Sequence, residues 1–217
     1  MKRILITGSS RGIGKGISDL LHSLNYKVID THYLNWRPNS LNLDLSNPQS
    51  IKDTMRDINE WYGGVDILIN NGGISQRKDF LDLTLTDLDM MWKTNIRGAM
   101  LLTQIVLPKM IKQNYGKIIN ISSVGGISGG IEQVHYASTK AAMINFTKSL
   151  ARIYAKDGIR CNCISPGIID TDMNSGLTNL NNCGKVEDVV NLVEFLISEK
   201  SNHINGQNIV INGGNNV

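Results

Sequence analysis

The chain alternates short runs of apolar residues with longer segments in which apolar residues recur every three or four positions. The short runs predict strands near residues 2–7, 26–31, 41–44, 65–70, 116–121, 159–164 and 207–211. The periodic segments predict helices near residues 12–24, 48–61, 86–113, 135–156 and 186–198. This alternation predicts an α/β fold with a parallel, doubly wound sheet and helices on both of its faces. A ligand crevice is then expected at the carboxyl ends of the strands.

The composition predicts one domain over residues 1–217. With 41% hydrophobic residues, 217 residues suffice for one sizeable core, and no linker-like or repeated stretch divides them. The first residues lack a long apolar stretch, so we expect no signal peptide, no membrane span and a cytoplasmic protein. A net charge of +3, with basic and acidic residues interspersed, gives little support to nucleic-acid binding. The spacing of Cys161, Cys163 and Cys183 fits neither a disulfide framework nor a metal site.

A glycine-rich turn follows the first predicted strand. Gly8, Gly12 and Gly14 stand between that strand and a segment whose apolar residues recur at helical spacing. The N–H groups at the start of a helix attract a diphosphate, and glycines let the backbone approach it closely. The spacing is Gly-x-x-x-Gly-x-Gly rather than Gly-x-Gly-x-x-Gly, so a turn without a nucleotide stays as the alternative for this segment alone.

Tyr136 and Lys140 are the strongest candidates for proton transfer. Residues four apart share one face of a helix, so the two side chains should lie together. A fixed positive charge favours the phenolate, which makes a tyrosine a suitable general acid or base. Such a pair also arises by chance, and the alternative is an ordinary solvated contact on a helix.

Further motifs give these two features a common interpretation. They are residues 42–45 with Asp44, residues 70–73, Asn95, residues 121–123, Pro166 and Gly167 with Thr171, and residues 212–214. With the glycine turn and the Tyr136–Lys140 pair, they make the chain resemble the single-domain short-chain dehydrogenase/reductase family over nearly its whole length. The resemblance is strongest to reductases of 3-oxoacyl-carrier-protein and acetoacetyl-CoA type. It implies a Rossmann-like sheet of about seven strands in the order 3-2-1-4-5-6-7 and an NAD(P)H-dependent oxidoreductase.

The resemblance also implies roles for individual residues. Ser123 would hydrogen-bond the substrate carbonyl, Tyr136 would donate a proton, and Lys140 would hold the nicotinamide ribose while favouring the phenolate. Asn95 would order a water that links Lys140 to solvent; the alternative is that this asparagine caps or pins a helix. Asp44 would accept from the adenine amino group, Asn70 and Gly72 would line the adenosine side, and Ile169 and Thr171 would approach the carboxamide. The full set implied at the cofactor is Gly8, Ser10, Arg11, Gly12, Ile13, Gly14, His32, Asp44, Leu45, Asn71, Gly72, Gly73, Tyr136, Lys140, Pro166, Gly167, Ile169 and Thr171.

NADP(H) is the preferred cofactor, with NAD(H) possible. An acidic residue at the end of the second strand would bind the ribose diol and favour NAD, but the residue aligned there is His32, and Asp30 lies too early. Arg11, with Arg37 in support, would hold a 2′-phosphate through charge-assisted hydrogen bonds.

Three departures from the family pattern accompany the resemblance. The connection between the second strand and Asp44 is too short for the usual helix, Pro38 disfavours a replacement, and the sheet edge there should be bare. The segment 168–185, which relatives use as a lid, is also short, which suggests an open site or a bulky ligand held elsewhere. Gly72 replaces the usual alanine, for which we expect a small loss of packing.

A 3-oxoacyl thioester is the first substrate implied, within the broader class of small-molecule carbonyl and alcohol substrates. Asn114 and Asp157 occupy positions where relatives present basic residues beside the pocket, which puts docking of an acyl carrier protein in doubt. The alternatives are a dehydrogenase or reductase of a sugar or other small alcohol or ketone, and a catalytically silent nucleotide-binding sensor or scaffold. Apolar helix faces, together with the resemblance, favour a homotetramer, with a homodimer as the alternative.

Overall fold

A parallel sheet of seven strands forms the centre of the molecule. The computed structural model describes residues 2–174 and 183–215. The strands lie in the order β3-β2-β1-β4-β5-β6-β7, and every neighbouring pair is parallel, which confirms the predicted fold class and strand order. Their bounds are β1 Arg3–Ile6, β2 Lys27–His32, β3 Leu41–Asn42, β4 Ile67–Asn70, β5 Gly116–Ile121, β6 Ile159–Pro166 and β7 Asn208–Ile211.

Helices cover both faces of the sheet. Their bounds are α1 Gly12–Ser23, α2 Pro48–Tyr62, α3 Leu85–Trp92, α4 Gly98–Lys112, α5 Gly125–Ser128, α6 Val134–Tyr154 and α7 Val186–Ile197. Helices α2, α4 and α6 pack on one face, and α1 and α7 pack on the other. Because successive strand residues face opposite sides, Leu5 packs in the core beneath α2, α4 and α6, while Ile4 and Ile6 pack in the core beneath α1 and α7. Strand β1 is therefore buried on both faces, as expected of a parallel sheet.

The predicted helix over residues 86–113 is interrupted by a π-helical segment. Helix α3 ends at Trp92, the segment Lys93–Arg97 has π-helical hydrogen bonding, and α4 continues from Gly98. Such bulges insert one residue into the helical repeat and are frequent at functional sites. This one carries Asn95.

The connection between β2 and β3 contains no helix, as its short length predicted. Strand β3 has only two residues, which pair with Thr31 and His32. Among the described strands, Lys27, Val28, Ile29 and Asp30 of β2 pair with β1 alone, so this edge is as bare as the sequence indicated. The shortened segment 168–185 lies partly outside the described residues.

Two of the three cysteines belong to the core. Cys161 and Cys163 lie in β6 and are buried free thiols, whereas Cys183 is half-buried. Burial raises the pKa of Cys163 to about 11, although the charge of Lys140 opposes this shift. No helix of the described chain is both long and apolar enough to cross a membrane.

Candidate active site

One large cavity opens at the carboxyl ends of the strands, where the doubly wound sheet predicts a ligand crevice. Its volume is about 910 Å³, within the range of small-molecule and cofactor sites. Its walls come from the turn after β1 and from the segments that follow β2, β3, β4, β5 and β6. The cavity thus joins segments that are distant in the sequence.

The turn after β1 requires glycine at two positions. Gly8 has φ +65°, a conformation that other residues rarely adopt. A Cβ on Gly14 would lie 2.2 Å from the Gly8 carbonyl oxygen and 2.4 Å from Asn71 Nδ2, so no side chain fits there. Helix α1 begins at Gly12 without a side-chain cap or an acidic residue in its first turn. Gly12, Ile13 and Gly14 of that turn line the cavity, and the N–H groups at the start of a helix suit an anion such as a diphosphate.

The end of β4 holds this turn in place. Asn71 Nδ2 donates to the carbonyl oxygens of Thr7 (3.0 Å) and Gly8 (3.1 Å). In return, Thr7 Oγ1 accepts from Asn71 N at 3.0 Å and from Gly72 N at 2.8 Å. A Cβ on Gly72 would lie 2.7 Å from Leu45 Cδ1. Leu45 therefore already fills the space that a side chain at residue 72 would need, and the loss of packing expected for Gly72 is not seen.

Ser123, Tyr136 and Lys140 line the other end of the same cavity. Helix α6 presents Tyr136 and Lys140 on one face, and Lys140 Nζ lies 5.5 Å from the centre of the Tyr136 ring. Lys140 is only 5% exposed and donates to the Ile121 carbonyl oxygen at 2.9 Å. Ser122 also lines the cavity, but it is buried and its hydroxyl donates to the Lys140 carbonyl oxygen at 2.8 Å. Of the two adjacent serines, Ser123 is the more exposed.

Asn95 lies behind the cavity wall rather than in it. Its side chain is buried and clamps Ile74, accepting from Ile74 N at 2.8 Å and donating to Ile74 O at 2.9 Å. A Cβ placed on Gly73 would lie 3.0 Å from Asn95 Oδ1 and 3.7 Å from Lys140 Nζ. Asn95 therefore fixes the loop after β4, and Gly73 of this loop lies between Asn95 and Lys140.

His32 was predicted to contact the cofactor, but it does not line the cavity. It is still part of β2, its ring is buried, and Nδ1 pairs with Ser40 Oγ at 2.7 Å. The next residues, Tyr33, Leu34 and Asn35, line the cavity instead. All the other residues predicted at the cofactor do line it. Asn70, which was expected on the adenosine side, is buried and donates to Asn120 Oδ1 at 2.8 Å.

The charged side chains predicted near the adenosine end have different surroundings. Arg11 is exposed and lines the cavity. Arg37 does not line it, because its guanidinium donates to Ser9 O at 2.8 Å and to Asp19 Oδ1 at 2.7 Å. Asp44 lines the cavity, and one of its carboxylate oxygens accepts from Ser46 N at 2.8 Å.

Sequence reasoning missed the residues around the catalytic end. This end of the cavity is partly apolar, with Ile74, Met90, Ile131, Ile168 and Met173 in its lining. Gln133 and Ser75 add a polar pair, in which Gln133 Nε2 donates to Ser75 Oγ at 2.7 Å. Most of these residues lie in segments that follow β4, β5 and β6, and that position was the one available signal. Burial lowers the pKa of the adjacent His135, against the opposing charge of Asp87.

Comparisons with known proteins match this architecture. Residues 2–181 match the family model described as short chain dehydrogenase. The chain is 38% identical to the 3-oxoacyl-[acyl-carrier-protein] reductase FabG of Aquifex aeolicus, over 97% of this chain and 95% of that protein. It is 34% identical to the Escherichia coli protein of the same name, over 98% and 96%. A structure of 4-hydroxyisoleucine dehydrogenase complexed with NADH superposes with a TM-score of 0.90 at 31% identity, covering 99% of this chain and 98% of that one. ElxO with NADP bound gives 0.89 at 32% identity, with the same coverage.

Proposed function

The chain belongs to the short-chain dehydrogenase family and is an NAD(P)-dependent oxidoreductase, and on this premise we propose that it reduces the carbonyl of a 3-oxoacyl thioester. The product is a secondary alcohol, and Tyr136 is the proton donor. The observation that carries the proposal is that Ser123, Tyr136 and Lys140 line one cavity with the glycine turn. Residues 1–217 would act as one nucleotide-binding unit.

The glycine turn and the start of α1 would hold the cofactor diphosphate. Unpaired N–H groups and the helix dipole favour negative charge there, and the absent Cβ atoms of Gly8 and Gly14 leave the backbone open to it. When bound, the nicotinamide supplies the hydride. NADPH is the preferred form, because Arg11 lines the adenosine end while the three lining residues after β2 carry no carboxylate.

Three side chains would act on the substrate carbonyl. The Ser123 hydroxyl donates a hydrogen bond to the carbonyl oxygen, and Tyr136 transfers its proton to that oxygen as the hydride arrives at the carbon. The Lys140 ammonium stabilises the phenolate that remains. The 5.5 Å separation is measured from Lys140 Nζ to the ring centre, and two unit charges at that separation attract each other by roughly 3 kcal/mol for an effective dielectric of about 20. Lys140 is nearly buried, so solvent screens the interaction little.

Asn95 would serve the return of the proton to Tyr136. It fixes Ile74 and Gly73 beside Lys140, where we propose that the proton path from solvent passes. That Asn95 orders a water on this path stays a prediction. The apolar lining at this end suits an acyl chain. Asn114 and Asp157 come just before β5 and β6, at the amino ends of the strands, whereas the cavity lies at the carboxyl ends. Their lack of positive charge therefore leaves this acyl site unaffected.

A reductase or dehydrogenase of a small polar alcohol is the second candidate. The Gln133–Ser75 pair in the cavity favours a substrate with hydroxyl or carboxyl groups. One structurally similar protein is a 4-hydroxyisoleucine dehydrogenase. A silent nucleotide-binding scaffold is the third candidate, and it is disfavoured because the Ser123, Tyr136 and Lys140 side chains are all present.

Steady-state kinetics with NADPH and NADH distinguish these candidates. The substrates are acetoacetyl-CoA, an acetoacetyl carrier protein, and a panel of small ketones, sugars and hydroxy acids. We expect the highest kcat/KM for a 3-oxoacyl thioester with NADPH. In Arg11→Ala, kcat/KM should fall with NADPH and stay unchanged with NADH. A preference for NADH that Arg11→Ala leaves unchanged would remove the NADP assignment, and tight cofactor binding without turnover on any substrate would favour the scaffold.

We also propose assembly into a homotetramer, or at least a homodimer. Among the apolar residues of α3 and α4, Met91 and Leu102 are buried in the chain, whereas Met90 is 43% exposed. Met100, Ile111 and Ile153 are further exposed apolar side chains of α4 and α6. Light scattering that gives the mass of a monomer would contradict this proposal.

A further inference from the structure

The segment 33–40, between β2 and β3, replaces a helix without resting on a packed layer. A second cavity of about 610 Å³ lies behind it, and Trp36 and Arg37 of the segment line this cavity together with Asp30 of β2. Trp36 itself is 72% exposed. Because Leu34 is 82% exposed as well, these apolar side chains contribute little packing, and hydrogen bonds hold the segment in position.

Arg37 supplies the hydrogen bonds that connect this segment to the glycine turn. Its Nη1 donates to the Ser9 carbonyl oxygen at 2.8 Å, and its Nη2 donates to Asp19 Oδ1 of α1 at 2.7 Å. The Arg37 carbonyl oxygen accepts from Ser40 Oγ at 2.6 Å, and that hydroxyl pairs with His32 of β2. Arg37 therefore spans from the end of β2 to the turn after β1, and its side chain is only 18% exposed.

The residues that Arg37 holds in place form a strained turn at the rim of the main cavity. Leu34 has φ +65°, and Asn35 N donates to Tyr33 O at 2.8 Å to close a three-residue turn. A leucine in this conformation costs on the order of 1–3 kcal/mol and persists only where the surroundings hold it. All three residues line the adenosine end, next to Arg11. A restraint outside the turn is thus required, and Arg37 lies two residues beyond it.

We propose that Arg37 is a positioning residue that holds the turn at residues 33–35 as the wall of the adenosine site. The inference rests on the proposed function, since the adenosine end is assigned through the proposed cofactor. The terminal nitrogens of Arg37 face Ser9 and Asp19 rather than the main cavity, so Arg37 supports NADPH and NADH alike. Of Arg11 and Arg37, only Arg11 would then recognise the 2′-phosphate.

Equilibrium titration of the protein with NADPH and with NADH, without substrate, tests this assignment. In Arg37→Ala we expect the Kd of both cofactors to rise by the same factor, about tenfold for two hydrogen bonds of ordinary net strength. Arg11→Ala should raise only the Kd of NADPH. The matched control is Arg56→Ala, which removes an exposed arginine paired with Asp53 on α2 and should leave both constants unchanged.

Asp19→Asn is the second variant, and it protects the test against misfolding of Arg37→Ala. Asp19→Asn alone should raise the Kd of both cofactors equally, by a smaller factor than Arg37→Ala. In the Arg37→Ala background, Asp19→Asn should raise Kd by less than it does in the wild type, because the two residues share one contact. A rise for NADPH alone in Arg37→Ala would make Arg37 a phosphate ligand and overturn the inference. A lower melting temperature with both constants unchanged would also overturn it. A wild-type protein that binds neither cofactor would instead overturn the proposed function.

Discussion

Lys140 Nζ lies 5.5 Å from the centre of the Tyr136 ring, and both side chains project from one face of α6 into the cavity that the glycine turn enters. This relationship places a buried positive charge beside the only tyrosine that lines the catalytic end of that cavity among the described residues. It is the arrangement that a proton donor needs, because the charge stabilises the phenolate left after transfer.

Replacing Lys140 by methionine should lower kcat on the order of 100-fold. The change removes the charge that stabilises the phenolate, worth roughly 3 kcal/mol at this distance, while it keeps most of the side-chain volume. The loss should be smaller at low pH, where solvent acid can supply part of the proton that the carbonyl oxygen takes up. Lys148→Met, which alters an exposed lysine of the same helix, is the matched control and should keep the wild-type rate and pH profile.

Gly14→Ala should weaken cofactor binding at least tenfold and lower the melting temperature. The added Cβ would meet the Gly8 carbonyl oxygen and the Asn71 amide, and both belong to the network that shapes the turn. Gly125→Ala is the control for stability, because its nearest atom would lie at an ordinary contact distance of 3.6 Å. Equal cofactor affinity in Gly14→Ala and wild type would contradict the proposed diphosphate site.

Asp66→Asn should destabilise the fold at neutral pH by about 2 kcal/mol. Burial by itself would raise the pKa of Asp66, but hydrogen bonds from Arg3 and Gln113 outweigh it and lower the pKa to about 2. A carboxyl group whose pKa is lowered by folding stabilises the protein at pH values above its pKa in the unfolded chain, which is near 4. This contribution is lost as the pH falls from about 4 to about 2.

Denaturant unfolding of Asp66→Asn and wild type at several pH values measures this difference. The gap in the free energy of unfolding should be constant from pH 5 to neutrality and should shrink below pH 4. The control is Asp53→Asn, which alters a half-exposed pair on α2 and should change stability little at any pH. A gap that does not depend on pH would mean that the Asp66 charge is not the source of the stability.

The positions of the strands and helices, the glycine turn and the Tyr136–Lys140 pair were predictable because each depends on local spacing, whereas the strand order was predicted from the family resemblance. Period two and period 3.6 locate the strands and helices, and the carboxyl ends of parallel strands meet at one edge. The π-helical segment at Asn95 escaped prediction, since one residue more in a helical turn leaves no mark in an apolar pattern.

His32 shows why the remainder of the site was less predictable. The predicted strand ended at residue 31, but β2 extends through His32, which pairs with Asn42 and stays within the sheet. A shift of one residue along a strand reverses the direction of a side chain. The residues at the catalytic end, such as Met90 and Gln133, depend on how distant loops pack together, and a single sequence carries little signal for that packing.

The Tyr136→Phe variant tests the central proposal most directly, because it removes one hydroxyl group and nothing else. The measurement is kcat for reduction of a 3-oxoacyl thioester at saturating NADPH, with Tyr154→Phe as a control in the same helix and cofactor titration to confirm binding. We expect a loss of about 100- to 10,000-fold in kcat for Tyr136→Phe, with an unchanged cofactor Kd and a wild-type rate in Tyr154→Phe. A Tyr136→Phe enzyme that keeps the wild-type kcat would contradict the assignment of Tyr136 as the proton donor.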